Sequence, residues 1–204
     1  SIISLNGELT ISMWLNPNNN TIVNLLGNSN NTNFLYINGS SQLQISSSDI
    51  AQTFTNTTFS TGSWQHIILT RDSSNVFKAY KNGTLTDTSS ADSGTFTFNQ
   101  IGAYYTGQYY FNGSISNVSV WNAALTSSQV LEIYSEGVPQ NLNNHSAYSN
   151  LVSWWQLGSN SSFNTNWTVL DEKGTNNGTS SNMTEDDIVD GVGSYANGTS
   201  SGMG

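Results

Sequence analysis

Ring-bearing residues crowd one short stretch of this chain: Tyr104, Tyr105, Tyr109, Tyr110 and Phe111, with Gln108 among them and Gly102 and Gly107 alongside. Tyrosine offers a flat apolar face and a polar tip, and a neighbouring amide can meet hydroxyl groups, so the stretch has the chemistry to hold a sugar ring. The same residues suit contact with a neighbouring subunit, or plain packing within the chain. Carbohydrate binding, interface and packing therefore stand side by side as uses for Tyr104, Tyr105, Gln108, Tyr109 and Tyr110.

Groups able to make and break bonds are sparse. His66 shares a strand face with Trp64 and Ile68, which reads as a packing residue rather than a base. His145 has no evident partner in the sequence, Glu8 stands alone at a strand start, and Glu132 and Glu136 lie on a helical pattern and read as solvated. Nothing has the form of a nucleophile triad or a phosphate loop, so the chain is expected not to be an enzyme.

Composition narrows the partners. The 204 residues carry a formal net charge of −9 with only four basic side chains, Arg71, Lys78, Lys81 and Lys173, which argues against a phosphate-binding surface and hence against nucleic acid. With no cysteine there is neither a disulfide framework nor a thiolate metal site. The surface is polar through amides and hydroxyls rather than ions, a composition common in exposed β proteins. No apolar run has membrane-spanning length and no signal-peptide pattern is present. The chain enters a strand almost at Ser1, as expected of a processed product or a portion of something longer.

The elements that must position these residues are mostly strands. Leu9, Ile11, Met13 and Leu15 alternate with Thr10, Ser12 and Trp14, giving a strand with one greasy face. Thr21 to Leu26 follows, and Phe34 to Asn38 pairs with Gln42 to Ser46 across Asn38-Gly39-Ser40-Ser41. Phe54 and Phe59 flank a Thr-rich link. Gly62 to Thr86 forms an antiparallel meander: Asp72-Ser73-Ser74-Asn75 makes one turn, and Asn82-Gly83 supplies the positive φ of a two-residue type I′ loop. Its run Ile67-Ile68-Leu69 points to a strand covered on both faces, as in stacked sheets. Thr95 to Ala103 alternates into the tyrosine stretch, and Ile115 to Trp121 is a further strand. One helix is expected over Ser127 to Ser135, with a Thr126/Gln129 capping box, a stripe of Val130, Ile133 and Tyr134, and Gly137 and Pro139 as stops. A linker over 138–150 precedes the strand Leu151 to Gly158.

Three separated segments carry a resemblance. GSWQHIILTRDSSNVFKAYKNGTL, GELTISMWLNP and FNGSISNVSVWNAALTSSQVLEIYSEG together resemble the laminin-G-like, concanavalin-A-like jelly rolls, over 1–137. The resemblance implies an all-β antiparallel sandwich. That fold carries lectins, hydrolases, adhesion modules and virion proteins, so it does not settle function. Hydrolases of this kind share an E-x-D-x-x-E strand holding two carboxyls about 5 Å apart, and no such strand occurs here. Members often hold calcium at the sheet rim. By that likeness Asp171, in VLDEKGTNNGTSSNM, is the candidate ligand with Asn176 or Asn177 as neutral donors; the alternative is that Asp171 only caps a turn. Ser116-Asn117 stands where the family often has an acid.

That Asp171 segment resembles one found near the start of many such domains, yet here it follows the closing helix. Residues 151–183 are accordingly either a permuted strand pair sealing a sheet edge, the arrangement favoured because an open greasy edge invites aggregation, or the start of a second domain. HSAYSNLVSWW followed by the DxxGxNNGT-like segment resembles an order seen in marine phage virion proteins. The implied role is a surface module, a decoration, fibre or receptor-binding protein, with other virion subunits or copies of itself as partners; a polysaccharide-binding extracellular adhesin is the alternative. Residues 177–183 recur as 197–203, and 184–204 is expected to be an extended acidic, Gly/Ser/Thr tail. Asn38, Asn56, Asn82, Asn112, Asn177 and Asn197 match the glycosylation triplet, but turn chemistry accounts for most of them.

Overall fold

The computed structural model describes residues 1–30, 32–47, 50–104, 109–158, 160–188 and 191–192. In chain order the strands begin β1 (Ile3–Leu5), β2 (Leu9–Pro17), β3 (Val23–Gly27), β4 (Phe34–Ile37), β5 (Gln42–Ser47) and β6 (Ile50–Thr58). They continue as β7 (Gln65–Arg71), β8 (Val76–Lys81), β9 (Thr84–Ala91), β10 (Phe96–Phe98), β11 (Gln100–Ile101) and β12 (Gly113–Trp121). After helix α1 (Ser127–Tyr134) come β13 (Leu151–Trp155), β14 (Ser162–Asn164), β15 (Asn166–Val169) and β16 (Gly178–Thr179). A six-stranded sheet in the order β13-β12-β2-β7-β8-β9 faces a five-stranded sheet in the order β11-β3-β4-β5-β6. All pairings are antiparallel, and the two layers make the expected β-sandwich jelly roll.

Strand parity builds the core. Leu9, Ile11, Met13 and Leu15 of β2, Ile67 and Leu69 of β7, and Val118 and Val120 of β12 point inward against Leu25, Leu35, Ile37, Leu43, Ile45 and Phe54 of the other sheet. The opposite faces of β2 and β7 are buried too. Ile68, Tyr80, Trp121, Leu151 and Trp154 form a second core with Leu125, Val130 and Ile133 of the α1 region and with Leu142 and Ala147. The run Ile67-Ile68-Leu69 is thus covered on both faces as expected, but the second cover is a helix and its following segment rather than another sheet.

Thr10 pairs its polar groups inside this second layer, whereas His66 Nδ1, Ser119 Oγ, Trp121 Nε1 and Trp154 Nε1 are buried with no hydrogen-bond partner among the described residues. The Thr10 hydroxyl donates to the Ala123 carbonyl at 2.7 Å and accepts from the Leu125 N–H at 3.0 Å, which anchors the approach to α1. Helix α1 has the expected capping box: Thr126 Oγ1 accepts from Gln129 N–H, and Gln129 Oε1 accepts from Thr126 N–H. The helix ends where expected to within a residue, at Tyr134, but the left-handed cap is Ser135 (φ 38°) rather than Gly137 two residues on. The Asn82-Gly83 turn lies directly beneath it: both φ values are positive, and a Cβ on Gly83 would stand 2.7 Å from Tyr134 Cδ1. Glycine is required there twice over, by the turn and by the close approach.

Three departures from the sequence reading concern segments expected to be irregular. The Thr-rich link around Phe54 is a nine-residue strand, β6, because β-branched threonines suit an extended edge. That edge is closed by Asp87 of β9, which accepts from Asn56 N–H at 2.9 Å, Asn56 Nδ2 at 2.8 Å and Thr57 Oγ1 at 2.7 Å. Within the stretch read as a linker, Leu142, His145 and Ala147 are buried. Glu185–Asp187, in the stretch read as an extended tail, makes a turn of 3-10 helix; 193–204 lies outside the described residues.

Leu151–Trp155 pairs with β12 at the edge of the six-stranded sheet, placing Trp155 in the main core and Trp154, 1% exposed, in the second. Trp154→Ala is therefore expected to cost about 3–5 kcal/mol in urea denaturation, as for other buried large-to-small changes. A loss below about 1 kcal/mol would show that β13 is not an integral strand.

Candidate functional site

In β4 the residues alternate: Leu35 and Ile37 face the core, so Phe34 and Tyr36 stand on the outer face of the five-stranded sheet. Register sets their neighbours. Tyr36 lies opposite Asn24 of β3 on one side and Gln44 of β5 on the other, and Gln44 in turn lies opposite Thr53 of β6. The row Asn24-Tyr36-Gln44-Thr53 thus crosses the sheet as amide, phenol, amide and hydroxyl. Phe34 heads the adjacent row, opposite Ser46.

The tyrosine stretch closes over one end of these rows. After β11 pairs with β3, Gly102 N–H donates to Leu25 O at 2.8 Å, and the returning chain gives Tyr109 O to Asn24 N–H at 3.0 Å. A Cβ on Gly27 would lie 2.5 Å from Ala103 O, so β3 admits this crossing only because Gly27 is bare. Tyr104 meets Phe34 edge-on at 5.4 Å and Tyr109 edge-on at 5.6 Å, while Phe34 meets Tyr36 at 5.2 Å. Tyr36, Phe34, Tyr104 and Tyr109 therefore form one continuous aromatic chain in the geometry that ring quadrupoles favour. Phe34, Tyr36 and Tyr104 are half-buried, whereas Tyr109 and Tyr110 are 51% and 53% exposed. Tyr109 sits at φ 51°, an uncommon conformation for a bulky residue. Tyr105 and Gln108 lie outside the described residues.

Burial, aided by Tyr104, pushes the Tyr36 phenol above its ordinary pKa, so it remains protonated and can donate a hydrogen bond at neutral pH. Asn24 Oδ1 is buried with no partner among the described residues. The surface so assembled offers apolar ring faces for stacking, with the Gln44 amide and the Thr53 hydroxyl beside them to pair with adjacent hydroxyls, the two requirements of a sugar site. Of the sequence-predicted residues the structure brings Tyr104 and Tyr109 into this surface. Asn24, Phe34, Tyr36 and Gln44 were missed, although the alternation F-L-Y-I and Q-L-Q-I already placed Phe34, Tyr36 and Gln44 opposite the core residues.

The other sequence-predicted candidates have structural employment. His66 is 1% exposed, its Nε2 lies 2.8 Å from Ser12 Oγ, and its ring packs against both Trp14 (4.7 Å) and Tyr134 (5.9 Å), which also meet each other at 5.9 Å. Burial lowers its pKa from 6.5 to about 3. His145, for which no partner was evident, bridges the chain after α1: Nδ1 accepts from Ala147 N–H at 3.0 Å and Nε2 donates to Gln129 O at 3.1 Å. Glu132, expected to be solvated, accepts from the N–H and hydroxyl of Ser146 at 2.8 and 2.6 Å. Asn38 Oδ1 accepts from the N–H groups of Ser40 and Gln42 at its own turn, as turn chemistry requires, and Asn82 Oδ1 accepts from His66 N–H on the earlier strand β7.

Asp171, 7% exposed, ties the following turn to β13. Its Oδ1 accepts from the N–H groups of Trp154, Gly174 and Lys173 at 3.0, 3.0 and 3.1 Å, and Oδ2 from Asn176 N–H at 3.1 Å. Asn177 Oδ1 accepts from Asp171 N–H at 2.9 Å, and the Asn176 amide donates to Ser153 Oγ at 2.9 Å. Burial raises the Asp171 pKa, but the donors from Gly174, Trp154, Ser153 and Asn176 together outweigh it and hold the carboxyl below its ordinary value. This donor set does not fit calcium: the carboxylate faces N–H groups where a hard cation needs only oxygen. Nor do three or more His, Cys, Asp or Glu side chains gather in an arrangement able to hold a metal ion among the described residues.

Two outcomes are expected. Chelator or added calcium should leave the melting temperature unchanged, while Asp171→Asn should cost about 1–3 kcal/mol by stranding backbone donors; a melting temperature that rises with calcium would restore a metal role. Because folded His66 resists protonation, the unfolded chain binds the extra proton. Stability should therefore be independent of this group above about pH 6.5 and fall as pH drops toward 3, by up to roughly 1.4 kcal/mol per pH unit. Asp171 acts in the same sense, its contribution present above the ordinary carboxylate range and lost on further acidification. An NMR titration placing the His66 ring near 6 would contradict this.

Comparison with known proteins completes the description. A family model for the concanavalin A-like lectin/glucanases superfamily matches residues 1–131. Among solved structures, a candidate carbohydrate-binding protein from Bacteroides ovatus is 17% identical with a TM-score of 0.62, covering 81% of this chain and 49% of its own, so this chain spans about half that protein's length. Domain 4 of AbnA, an extracellular arabinanase from Geobacillus stearothermophilus, solved with arabinotriose, is 21% identical with a TM-score of 0.52 over 64% of this chain and 68% of that one. No curated protein sequence matches the chain. At these identities the structures speak to fold alone, but with the family match over most of the chain the assignment is plain: the protein belongs to the concanavalin A-like lectin/glucanases superfamily.

Proposed function

We propose that this chain is a non-enzymatic glycan-binding module displayed at a surface, with the sugar resting on the outer face of the five-stranded sheet. The observation that carries the reading is the row Asn24-Tyr36-Gln44-Thr53 beside the aromatic chain Phe34, Tyr104 and Tyr109. Ring faces stack on the apolar face of a sugar, and the amides pair with its hydroxyls. Membership of a lectin superfamily and the likeness to an arabinanase domain solved with arabinotriose support the same reading.

Display on a phage particle, as a decoration, fibre or receptor-binding protein, and display on a cell as an extracellular adhesin both use this activity. The segment His145 to Trp155 that resembles phage proteins is accounted for by packing, since His145, Ala147, Leu151 and Trp154 are buried. One observation favours a second use of the tyrosines as an interface with other subunits or copies of the chain: Tyr109 and Tyr110 project with half their surface free. No helix among the described residues is long and apolar enough to cross a membrane.

Tyr36→Ala and Phe34→Ala should each lower glycan-array binding of the isolated chain by about tenfold or more while keeping a native circular dichroism spectrum. Unchanged binding in both would end the proposal. If Tyr109→Ala and Tyr110→Ala instead spare glycan binding and break assembly, these two tyrosines serve an interface.

A further inference from the structure

The distribution of charge says which glycans this face can accept. The five strands of the sheet, Val23–Gly27, Phe34–Ile37, Gln42–Ser47, Ile50–Thr58 and Gln100–Ile101, hold no Asp, Glu, Lys, Arg or His. Residues 105–108 of the tyrosine stretch are likewise uncharged in sequence.

Every basic side chain of the protein is placed elsewhere. Arg71 is buried at the end of β7, donating to the carbonyls of Gly7, Asp92 and Gly94. Lys78 projects from β8 on the side opposite Phe77 and Ala79, both core residues, and so on the far face of the other sheet. Lys81 donates to the Thr58 carbonyl at 2.6 Å, on the edge strand β6 two strands from Tyr36. Lys173 lies 3.5 Å over the Tyr148 ring, beside the second core. Both histidines are buried.

A sugar carboxylate brought against Phe34 and Tyr36 would lose water and gain no counter-charge, in a protein whose formal net charge is −9. Hydroxyl groups lose nothing comparable, since Gln44, Thr53 and the Tyr36 phenol, all at least partly exposed, replace their water hydrogen bonds. From this we infer that the face recognises uncharged oligosaccharides and rejects those carrying sialic or uronic acids. The inference rests on the glycan-binding reading above and adds its substrate class. Binding without ion pairs also implies an affinity nearly indifferent to salt.

The test is titration calorimetry with two sets of probes, arabinotriose and xylohexaose against 3′-sialyllactose and trigalacturonate, preceded by an array of neutral and acidic polysaccharides. A neutral probe is expected to bind with less than about a twofold change in Kd between low and physiological salt. The acidic probes should bind about tenfold more weakly or not at all, and Tyr36→Ala should abolish whatever binding is seen. An acidic probe that binds best, loses affinity with salt and requires Tyr36 would overturn the inference while leaving the face a glycan site. Failure of the whole array would remove the glycan reading and this inference with it.

Discussion

Burial of both faces of β2, β7, β12 and β13 in the six-stranded sheet is the constraint from which the rest follows. Leu9, Ile11, Met13, Ile67 and Leu69 fill the interior on one side, while Trp14, His66, Ile68 and Trp121 are equally enclosed on the other by α1 and the segment after it. Removing so much apolar surface from water is the dominant favourable term available to a chain without disulfides. It also explains why histidine and threonine sit inside: Ser12 meets His66 Nε2, and Thr10 satisfies both Ala123 and Leu125, so these side chains bring partners with them into the second core. His66 belongs to that arrangement and not to any chemistry.

With the outer face of β2, β7, β12 and β13 covered, the outer face of the five-stranded sheet is the one that presents partly exposed aromatic and amide side chains. Phe34, Tyr36, Asn24 and Gln44 stand there, with Leu35, Ile37 and Leu43 holding the same strands to the core. A site built on paired strands is rigid, and rigidity lowers the ordering cost of holding a ligand. The tyrosine stretch adds to it from the edge, admitted by the bare backbone of Gly27 and tied to β3 through Tyr109 and Asn24.

In the C-terminal third, β13 joins the six-stranded sheet, while β14, β15 and β16 form a three-stranded sheet of their own. β13 covers the edge of β12, and Asp171 gathers the N–H groups of Trp154, Lys173, Gly174 and Asn176 around one carboxylate, clamping the turn to that strand. A carboxylate used in this way stabilises by accepting several charge-assisted hydrogen bonds, and the same bonds remove it from the reach of a cation. The His145 to Trp155 segment is part of the same closure, its buried side chains completing the layer over α1.

Local pattern alone determined much of this protein. Period-two alternation revealed β2, β4, β5, β7 and β12, Asn82-Gly83 revealed the turn between β8 and β9, and Thr126 with Gln129 revealed the helix start, because each depends on residues close in sequence. The crowded tyrosines marked one edge of the aromatic surface, and the F-L-Y-I alternation held the clue to Phe34 and Tyr36. What no local pattern could supply was which strands lie side by side: Asn24, Tyr36, Gln44 and Thr53 become one row only through inter-strand register, and Asp171 becomes a clasp only when β13 lies against its turn. Burial and pairing across long sequence separations are properties of the folded layers, so the site and the roles of His66, His145 and Asp171 were decided there.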